Sequence, residues 1–291
     1  MASGRAGMRP PWRARPELGS RASRAMVFVR MQTQQHVVRR LRDLGGGSFA
    51  LEVDGPFAPT EAGQFFMLRT AERWPVQLPR PLSIYDLAPD RSWGSFLIKP
   101  IGPGTRALCD LRAGEGVVVT GPLGKPFPAG VENPVCVAGG VGLAPFLLLA
   151  RRRHAAGGRL RLLFGGRDRA SLAGIEDFEP IADVHASTDD GSRGHPGLVT
   201  DLLEGLCERG LVAAGETVFC CGPDPMMHAV AKLCAARGLH CYLSLETYMA
   251  CGYGVCNGCT VAVRGERFGE WPYSKTCVDG PVYAAHELKM T

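Results

Sequence analysis

The sequence predicts a mixed fold, in which an all-β domain is followed by an α/β domain and then by a small cysteine-rich module. Three observations support this. Short alternating apolar runs, broken by Gly, Pro and Asp, fill residues 26–128, as in an antiparallel barrel or sandwich, and we expect the barrel. From residue 129 to 243, apolar strands alternate with helical segments, as in a doubly wound parallel sheet. Residues 244–291 hold four cysteines but too little apolar sequence for a core of their own.

The first 25 residues form an Arg-rich leader that we expect to be disordered. Residues 1–40 contain nine arginines and one acid, so the rest of the chain is slightly acidic although the net charge is +5. An acidic body is not the electrostatic surface of a nucleic-acid-binding protein. A transit peptide, or translation from too early a start with Met26 as the true start, also suits this composition. No apolar run approaches about 20 residues, so we expect no membrane span and a cytoplasmic location.

Within the expected barrel, the segment Arg80–Asp86 has a sequence suited to binding a flavin. Arg80 can pair with a phosphate through two hydrogen bonds, Ser83 can bond the edge of a flavin ring, and Tyr85 offers a face for stacking. The later loop Lys99–Thr105 contains glycines that can expose backbone N–H groups to a pyrophosphate, and a short helix is expected to follow it. These sequences are also ordinary for strands and turns, so a flavin is one interpretation at this point.

Two glycine-containing turns in the α/β region predict a site for a nicotinamide dinucleotide. Gly139, Gly140 and Gly142 follow an apolar strand and open a helix, where backbone N–H groups can hold a pyrophosphate. Pro145 replaces the third glycine of the usual fingerprint, and proline suits a first helical turn. The second turn begins at Cys221, which could lie over a nicotinamide ring or be a buried thiol. A tight turn without a ligand remains an alternative at both places.

The charges that follow the second strand of this region leave the choice between NAD and NADP open. Arg167 and Arg169 favour the 2′-phosphate of NADP, whereas Asp168 favours the 2′-hydroxyl of NAD. All three also suit a solvated loop. The segment SLAGIEDF at residues 171–178 is expected to be helical.

Four cysteines near the carboxyl terminus have the spacing of a plant-type [2Fe–2S] site. The pattern is C-x4-C-x2-C, followed after seventeen residues by a fourth cysteine. A tight loop can offer three sulfurs, and the glycines between them let N–H groups point at the cluster. A zinc site prefers paired C-x2-C knuckles, and zinc or four free thiols remain the alternatives. The predicted ligands are Cys251, Cys256, Cys259 and Cys277.

Taken together, these motifs resemble the ferredoxin–NADP reductase superfamily, in which they occur in the same order. They are the segments Arg80–Ser83, Gly104–Thr105, Gly139–Pro145 and Cys221–Met226. The sequence YMACGYGVCNGC, with KTCVDGPVY after it, resembles the electron transfer subunits of dihydroorotate dehydrogenase B, and this likeness covers about residues 26–288. The segment at 260–276 is longer than is usual in that family, and the leader is foreign to it.

The resemblance implies that the chain binds one FAD, one [2Fe–2S] cluster and NAD. FAD would be contacted by Arg80, Pro81, Leu82, Ser83, Ile98, Lys99 and Pro100, with its pyrophosphate at Gly104 and Thr105. NAD would lie against Gly140, Gly142, Cys221, Gly222 and Pro223, beside the Gly139 of the same turn. The four cysteines would ligate the cluster, and no residue would act as an acid–base catalyst.

The resemblance also implies a catalytic partner subunit that holds FMN and oxidises dihydroorotate to orotate in pyrimidine biosynthesis. Electrons would pass from FMN through the cluster and FAD to NAD+, in a heterotetramer of two copies of each subunit. A flavin is needed between the other groups because nicotinamide exchanges two electrons at once and a cluster exchanges one. Two alternatives remain: an electron transfer subunit of a hydrogenase, sulfite reductase or ferredoxin–NADP transhydrogenase, and a zinc-binding interaction module without catalysis.

Overall fold

The computed structural model describes residues 31–290, and the expected leader lies outside this range. The first part of the described chain is a closed barrel of six antiparallel strands, as predicted. The strands are β1 (Gln32–Gly45), β2 (Ser48–Asp54), β3 (Phe65–Thr70), β4 (Arg80–Leu87), β5 (Trp93–Ile98) and β6 (Gly116–Leu123). Their order around the barrel is β1, β2, β5, β4, β3, β6. The short helix α1 (Pro103–Cys109) joins β5 to β6.

The second part is a largely parallel sheet with helices, and this also confirms the prediction. Its strands are β7 (Val135–Gly139), β8 (Arg161–Gly166), β9 (Asp183–Thr188), β10 (His195–Pro196), β11 (Thr217–Cys221) and β12 (His240–Ser244). The helices are α2 (Leu147–Ala155), α3 (Val199–Glu208) and α4 (Asp224–Arg237). The spatial order runs from β10 through β9 and β8 to β7, and then to β11 and β12. The order of the strands therefore reverses between β7 and β11, which is where such sheets bind ligands.

Two helices of this part differ from the prediction. The segment Gly140–Phe146 is a 3-10 helix, so Pro145 lies inside it, and α2 begins only at Leu147. The stretch 171–178, expected to be helical, contains only the end of one short 3-10 turn, Arg169–Ser171, and all of a second, Ile175–Asp177. Its local interactions explain the second difference. The Asp168 carboxylate accepts the Ser171 N–H at 2.8 Å, and Gly174, at a φ of +80°, ends the segment between the two turns.

The cysteine-rich segment is tied to both preceding parts. It contains the hairpin of β13 (Thr260–Ala262) and β14 (Tyr273–Lys275), and then β15 (Val282–Ala284). Strand β15 joins the parallel sheet as an antiparallel neighbour of β12. Just before β15, the carbonyl of Gly280 accepts the Lys125 N–H at 2.6 Å, beyond the end of β6. A segment too small for its own core is thus held by its neighbours.

A polar cluster joins the barrel to the α/β part. The Tyr85 hydroxyl donates to Asp177 at 2.7 Å, and Arg42 donates to both oxygens of the same carboxylate at 3.1 and 2.7 Å. Beside it, Arg151 of α2 donates to Asp86 at 2.6 Å. Burial raises the pKa of Tyr85, with a further contribution from the Asp177 carboxylate. Tyr85 is fully buried, so the expectation that its ring stacks on a flavin is wrong.

Among residues 31–290, no helix combines the length and the apolar character that crossing a membrane requires.

Candidate functional site

The four cysteines predicted as cluster ligands come together as two close pairs. The sulfurs of Cys251 and Cys256 are 3.3 Å apart, and those of Cys259 and Cys277 are also 3.3 Å apart. A two-iron cluster needs two thiolates at each iron, which two pairs can provide. Zinc sites instead take their four ligands around a single ion. The two sulfur pairs therefore suit the two irons of a [2Fe–2S] cluster.

The loop around the first pair depends on two glycines. Gly252 and Gly254 have φ angles of +81° and +92°, which side chains rarely adopt. A Cβ atom on Gly252 would lie 2.6 Å from the Met67 side chain, and one on Gly254 would lie 2.7 Å from Val278. Glycine therefore lets the loop curl around its sulfurs while it packs against β3.

The two pairs present their sulfurs in different electrostatic surroundings. Burial opposes ionisation of Cys251, but hydrogen bonds from the backbone of Cys256, Tyr253 and Val255 outweigh it and lower its pKa to about 6. Burial and the neighbouring Cys259 thiol raise the pKa of Cys277 to about 12. Thiolates are the ligand form of cysteine. The backbone thus favours ionisation of the Cys251 sulfur, whereas Cys277 would need the positive charge of bound iron to ionise.

A cavity of about 330 Å³ lies between the barrel and the segment that follows β12. Six of the residues predicted to contact FAD line it: Arg80, Pro81, Leu82, Ser83, Lys99 and Thr105. Ile98 is buried, and it is not among the residues that line the cavity; neither are Pro100 and Gly104. A Cβ atom on Gly104 would lie 3.0 Å from the Trp74 ring and 3.1 Å from the Arg80 guanidinium, so this glycine leaves room for the arginine.

The opposite wall of this cavity was missed in the sequence. It is formed by the segment after β12, with Leu245, Glu246, Thr247, Tyr248 and Met249. The Thr247 hydroxyl oxygen is buried and has no hydrogen-bond partner within residues 31–290, which suits a polar group of a bound flavin. Tyr248 is 96% exposed and could cover an aromatic ring system. Burial and the Asp224 carboxylate raise the pKa of Glu246, although its side chain reaches solvent through the open cavity. The position of this segment in the sequence could have identified it, because loops that follow parallel strands lie at the same edge of the sheet.

A second cavity, of about 460 Å³, lies at the point where the strand order reverses. Gly139, Gly140 and Pro223 line it, as predicted for a nicotinamide dinucleotide site. Gly142 and Gly222 lie behind this wall, where the two turns touch. A Cβ atom on Gly142 would lie 2.2 Å from the Cys221 carbonyl oxygen, so only glycine allows this contact.

Cys221 lies behind the same wall. Its side chain is 3% exposed and is not among the residues that line either cavity. Burial raises its pKa, and the nearby Glu246 carboxylate raises it further. Of the two interpretations of this residue, the arrangement matches the buried thiol.

Of the three charged side chains considered for the 2′-position, Arg167 lines the nucleotide cavity. The Asp168 carboxylate instead accepts hydrogen bonds from the Ser171 N–H and hydroxyl, both at 2.8 Å. Those two bonds lower its pKa. Asp189, which the sequence did not single out, also lines the cavity. The cavity thus presents one arginine and one carboxylate.

The three regions are contiguous. Lys99 lines both the flavin cavity and the nucleotide cavity. On the other side, Phe65 of β3 lines the flavin cavity, and Met67 packs against Gly252 of the cysteine loop. Residues two apart on one face of a strand are separated by about 7 Å. The strand therefore forms a short wall between the flavin cavity and the cysteines.

Comparison with known proteins identifies two regions of the chain. Residues 136–232 match the oxidoreductase NAD-binding domain, and residues 246–289 match the iron–sulfur cluster binding domain of dihydroorotate dehydrogenase B. Three similar proteins are each described as the electron transfer subunit of dihydroorotate dehydrogenase B (NAD(+)). The protein from Clostridium acetobutylicum is 34% identical over 83% of this chain and 91% of its own length. The protein from Bacillus caldolyticus is 35% identical over 78% and 86%, and that from Clostridium perfringens is 30% identical over 91% and 99%.

Solved structures with the same fold are also oxidoreductases. A chain of an NADH-dependent reduced ferredoxin–NADP oxidoreductase has a TM-score of 0.76 and 26% identity, covering 88% of this chain and 90% of its own. Phthalate dioxygenase reductase has a TM-score of 0.58 and covers 87% of this chain and 95% of its own. At 16% identity, the second likeness supports the fold alone.

Proposed function

Because the chain belongs to the family of dihydroorotate dehydrogenase B electron transfer subunits, we propose that it carries electrons from a catalytic partner through one [2Fe–2S] cluster and one FAD to NAD+. It is in this sense the NAD-linked subunit of a flavin and iron–sulfur oxidoreductase. The observation that carries the proposal is the pairing of the four cysteines directly beside the cavity lined by Arg80 and Thr105. When bound, FAD supplies the exchange between one-electron and two-electron chemistry that these neighbours require.

In this proposal the residues of the chain bind and position the cofactors. Arg80 pairs with the FAD phosphates, Thr105 contributes to the pyrophosphate site, and Gly104 leaves room for the arginine. Thr247 gives its unpartnered hydroxyl to the flavin, and Tyr248 covers the ring. Ile98 and Pro100 support the wall from behind. On the nucleotide side, Gly140 and its neighbours let NAD approach the backbone, while Gly142, Cys221 and Gly222 hold the two turns together.

The catalytic partner would dock where the cysteine loop reaches the surface. Tyr253, Val255 and Val278 surround the loop and are 49%, 78% and 45% exposed. Exposed apolar side chains beside a redox centre suit a protein interface, because they exclude water when the partner binds. We propose that the partner holds FMN and oxidises dihydroorotate to orotate, and that two copies of each subunit assemble.

Cytoplasmic location is part of the same proposal. None of the eleven cysteines forms a disulfide, as is usual in a reducing compartment. We also propose the domain limits 26–128 for the flavin region, 129–243 for the nucleotide region and 244–291 for the cluster region. Strand β15 lies within the last segment, although it pairs with the nucleotide-binding sheet.

The experiment that tests the proposal is an anaerobic purification followed by a visible spectrum and assays for iron, sulfide, zinc and flavin. A brown protein with about two irons and one FAD per chain is expected. NADH should then bleach the flavin and cluster absorbance. Expression with a catalytic dihydroorotate dehydrogenase subunit should give a stable complex that reduces NAD+ with dihydroorotate. A colourless protein that contains zinc and no flavin would overturn the proposal.

A second candidate shares the cofactors and differs in the partner. The 26% identical chain of similar fold belongs to a ferredoxin–NADP oxidoreductase, so electron transfer to or from a ferredoxin is the alternative that this likeness favours. The same co-expression separates the two. A loaded protein that exchanges electrons with ferredoxin, and neither binds nor accepts electrons from the dihydroorotate-oxidising subunit, would support the alternative.

A further inference from the structure

The described part of the chain contains a pocket that none of the cofactors above occupies. Its volume is about 700 Å³, larger than the flavin and nucleotide cavities and within the usual range for small-molecule sites. It lies between α4, the beginning of β12 and the segment that follows β15. None of its lining residues lines the flavin or the nucleotide cavity.

The pocket exists because the sheet edge is only partly covered. Strand β15 pairs with Tyr242, Leu243 and Ser244 of β12 and then leaves the sheet. Within residues 31–290, His240 and Cys241 therefore have no neighbouring strand on that side. The chain continues as a 3-10 turn, Ala285–Glu287, which forms the far wall of the gap. An unpaired strand edge offers backbone donors and acceptors to whatever enters.

The walls carry basic groups, and the floor is apolar. Helix α4 contributes His228 and Lys232, which are four residues apart on one face. Arg264 lies after β13, where its guanidinium donates to the Leu288 carbonyl at 3.0 Å and so has a fixed direction. His240 and His286 complete the basic lining. The floor is formed by buried or half-buried apolar side chains, namely Ala231, Leu239, Cys241, Tyr242, Ala285 and Met290.

Among the side chains that the structure describes, no Asp or Glu lines this pocket, so no described carboxylate balances the charge of its wall. Glu287 directly follows the lining residue His286, but its carboxylate has other partners. It lies 3.4 Å from the Arg267 guanidinium and accepts the Ala284 N–H at 3.2 Å. Two permanent cations with hydrogen-bonding imidazoles suit a dianion, and arginine is well matched to phosphate geometry.

We propose that this pocket binds a small phosphate monoester whose organic part is apolar or aromatic. The phosphate, with nearly two negative charges at neutral pH, would lie between Lys232 and Arg264. The organic part would rest on the floor formed by Leu239, Tyr242 and Met290. The inference is independent of the proposed electron transfer, because the pocket shares no residue with the cofactor sites.

The test uses the cofactor-loaded protein saturated with NAD+, so that the nucleotide cavity is closed to the probes. Binding of phenyl phosphate and of inorganic phosphate is measured by isothermal titration calorimetry. We expect saturable binding of phenyl phosphate with a dissociation constant of about 1 mM or tighter, and weaker binding of inorganic phosphate, which gains nothing from the floor. Binding by inorganic phosphate as tight as by phenyl phosphate would overturn the assignment of the organic part.

Two variants locate the site. Lys232→Glu should weaken phenyl phosphate binding at least about tenfold, because it places a like charge against the anion. Arg209→Glu makes the same change of charge on an exposed residue outside the pocket and should leave the affinity within about twofold. Both side chains are exposed, so folding should be kept. Absence of saturable binding, or equal effects of the two variants, would overturn the proposal.

Discussion

At the scale of single residues, the loop backbone stabilises the thiolate of Cys251, one of the four proposed ligands of the cluster. Hydrogen bonds from three backbone groups lower its pKa against the effect of burial. Its close partner is Cys256, whose side chain is half-buried. The pair is therefore the more accessible half of the cluster site, and a substitution there should affect the cluster without disturbing a core.

We expect Cys256→Ser to remove or destabilise the cluster and to leave FAD in place. The reason is that Cys256 is a proposed iron ligand near the surface, while the flavin cavity is formed by β4, α1 and the segment after β12. Iron content and the cluster's paramagnetic signal should fall, while oxidation of NADH by an artificial acceptor persists. The half-buried Cys207 on α3 provides the control, and Cys207→Ser should keep both cofactors. Loss of FAD together with iron would mean that the cluster also staples the fold.

A second residue-scale prediction concerns the flavin phosphates. We expect Arg80→Ala to weaken FAD retention by on the order of 2 kcal/mol, or about thirtyfold, because a charge-assisted hydrogen bond is lost. The protein is dialysed to remove FAD and is then titrated with free FAD. The quenching of flavin fluorescence on binding gives the affinity for FAD. Arg112→Ala, an exposed arginine away from the cavity, is the control. Unchanged FAD content in the Arg80 variant would contradict the phosphate assignment.

The sequence predicted groups of residues that belong to one short local pattern. The four cysteines and the turn at Gly139 belong to short patterns, and the structure brings the cysteines together in pairs. Tyr85 was misjudged because the face of a strand that points inward depends on its pairing with other strands. Thr247 and Tyr248 were missed because they meet Arg80 only through the packing of distant segments.

At the scale of elements, the two turns of the nucleotide site act as one unit. The turn after β7 contacts the turn after β11 so closely that Gly142 has no room for a side chain. The strands themselves were predictable from their continuous apolar runs, as expected for strands covered on both faces. The start of α2 was not, because the 3-10 geometry of Gly140–Phe146 reflects this contact between turns as well as the position of Pro145.

Substitution of Gly142 tests this unit. We expect Gly142→Ala to destabilise the protein by about 1–3 kcal/mol and to raise the KM for NADH, since the added methyl would displace the Cys221 carbonyl or the turn that carries it. Gly205 on α3 is the matched control, because a Cβ atom there meets nothing within 4 Å. Gly205→Ala should be neutral or stabilising by up to about 1 kcal/mol. Melting temperature and steady-state kinetics report both effects. A Gly142→Ala protein with unchanged stability and KM would show that the turns are not coupled.

At the scale of the whole molecule, the nucleotide cavity, the flavin cavity and the cysteine loop follow one another in that order. The nucleotide cavity meets the flavin cavity at Lys99, and the flavin cavity meets the cysteine loop across β3. The polar cluster of Tyr85, Arg42 and Asp177 fixes the barrel against the α/β part, and thereby the first of these contacts. This order could not be derived from motif order along the chain, because the cysteine loop follows the nucleotide-binding strands in sequence but packs on the barrel.

This order leaves the cysteine loop as the place where the catalytic partner can dock, and this leads to a prediction. We expect Val255→Asp to weaken binding of the catalytic subunit by about tenfold, because a charge would be buried at the centre of an apolar contact. Binding is measured by titrating the labelled catalytic subunit with the cofactor-loaded protein. The cluster spectrum and NADH oxidation by an artificial acceptor should not change, because the substitution keeps the backbone N–H of residue 255, which donates to Cys251.

Leu211 provides the control for this docking face. It is a comparably apolar side chain, 50% exposed, that lines none of the cavities described above. Leu211→Asp introduces the same charge and should leave the affinity for the catalytic subunit unchanged. If Leu211→Asp weakened the complex and Val255→Asp did not, the partner would bind away from the cysteine loop. Electrons would then have to enter by a path other than the pair Cys251 and Cys256, and the assignment of the loop as the entry point would fail.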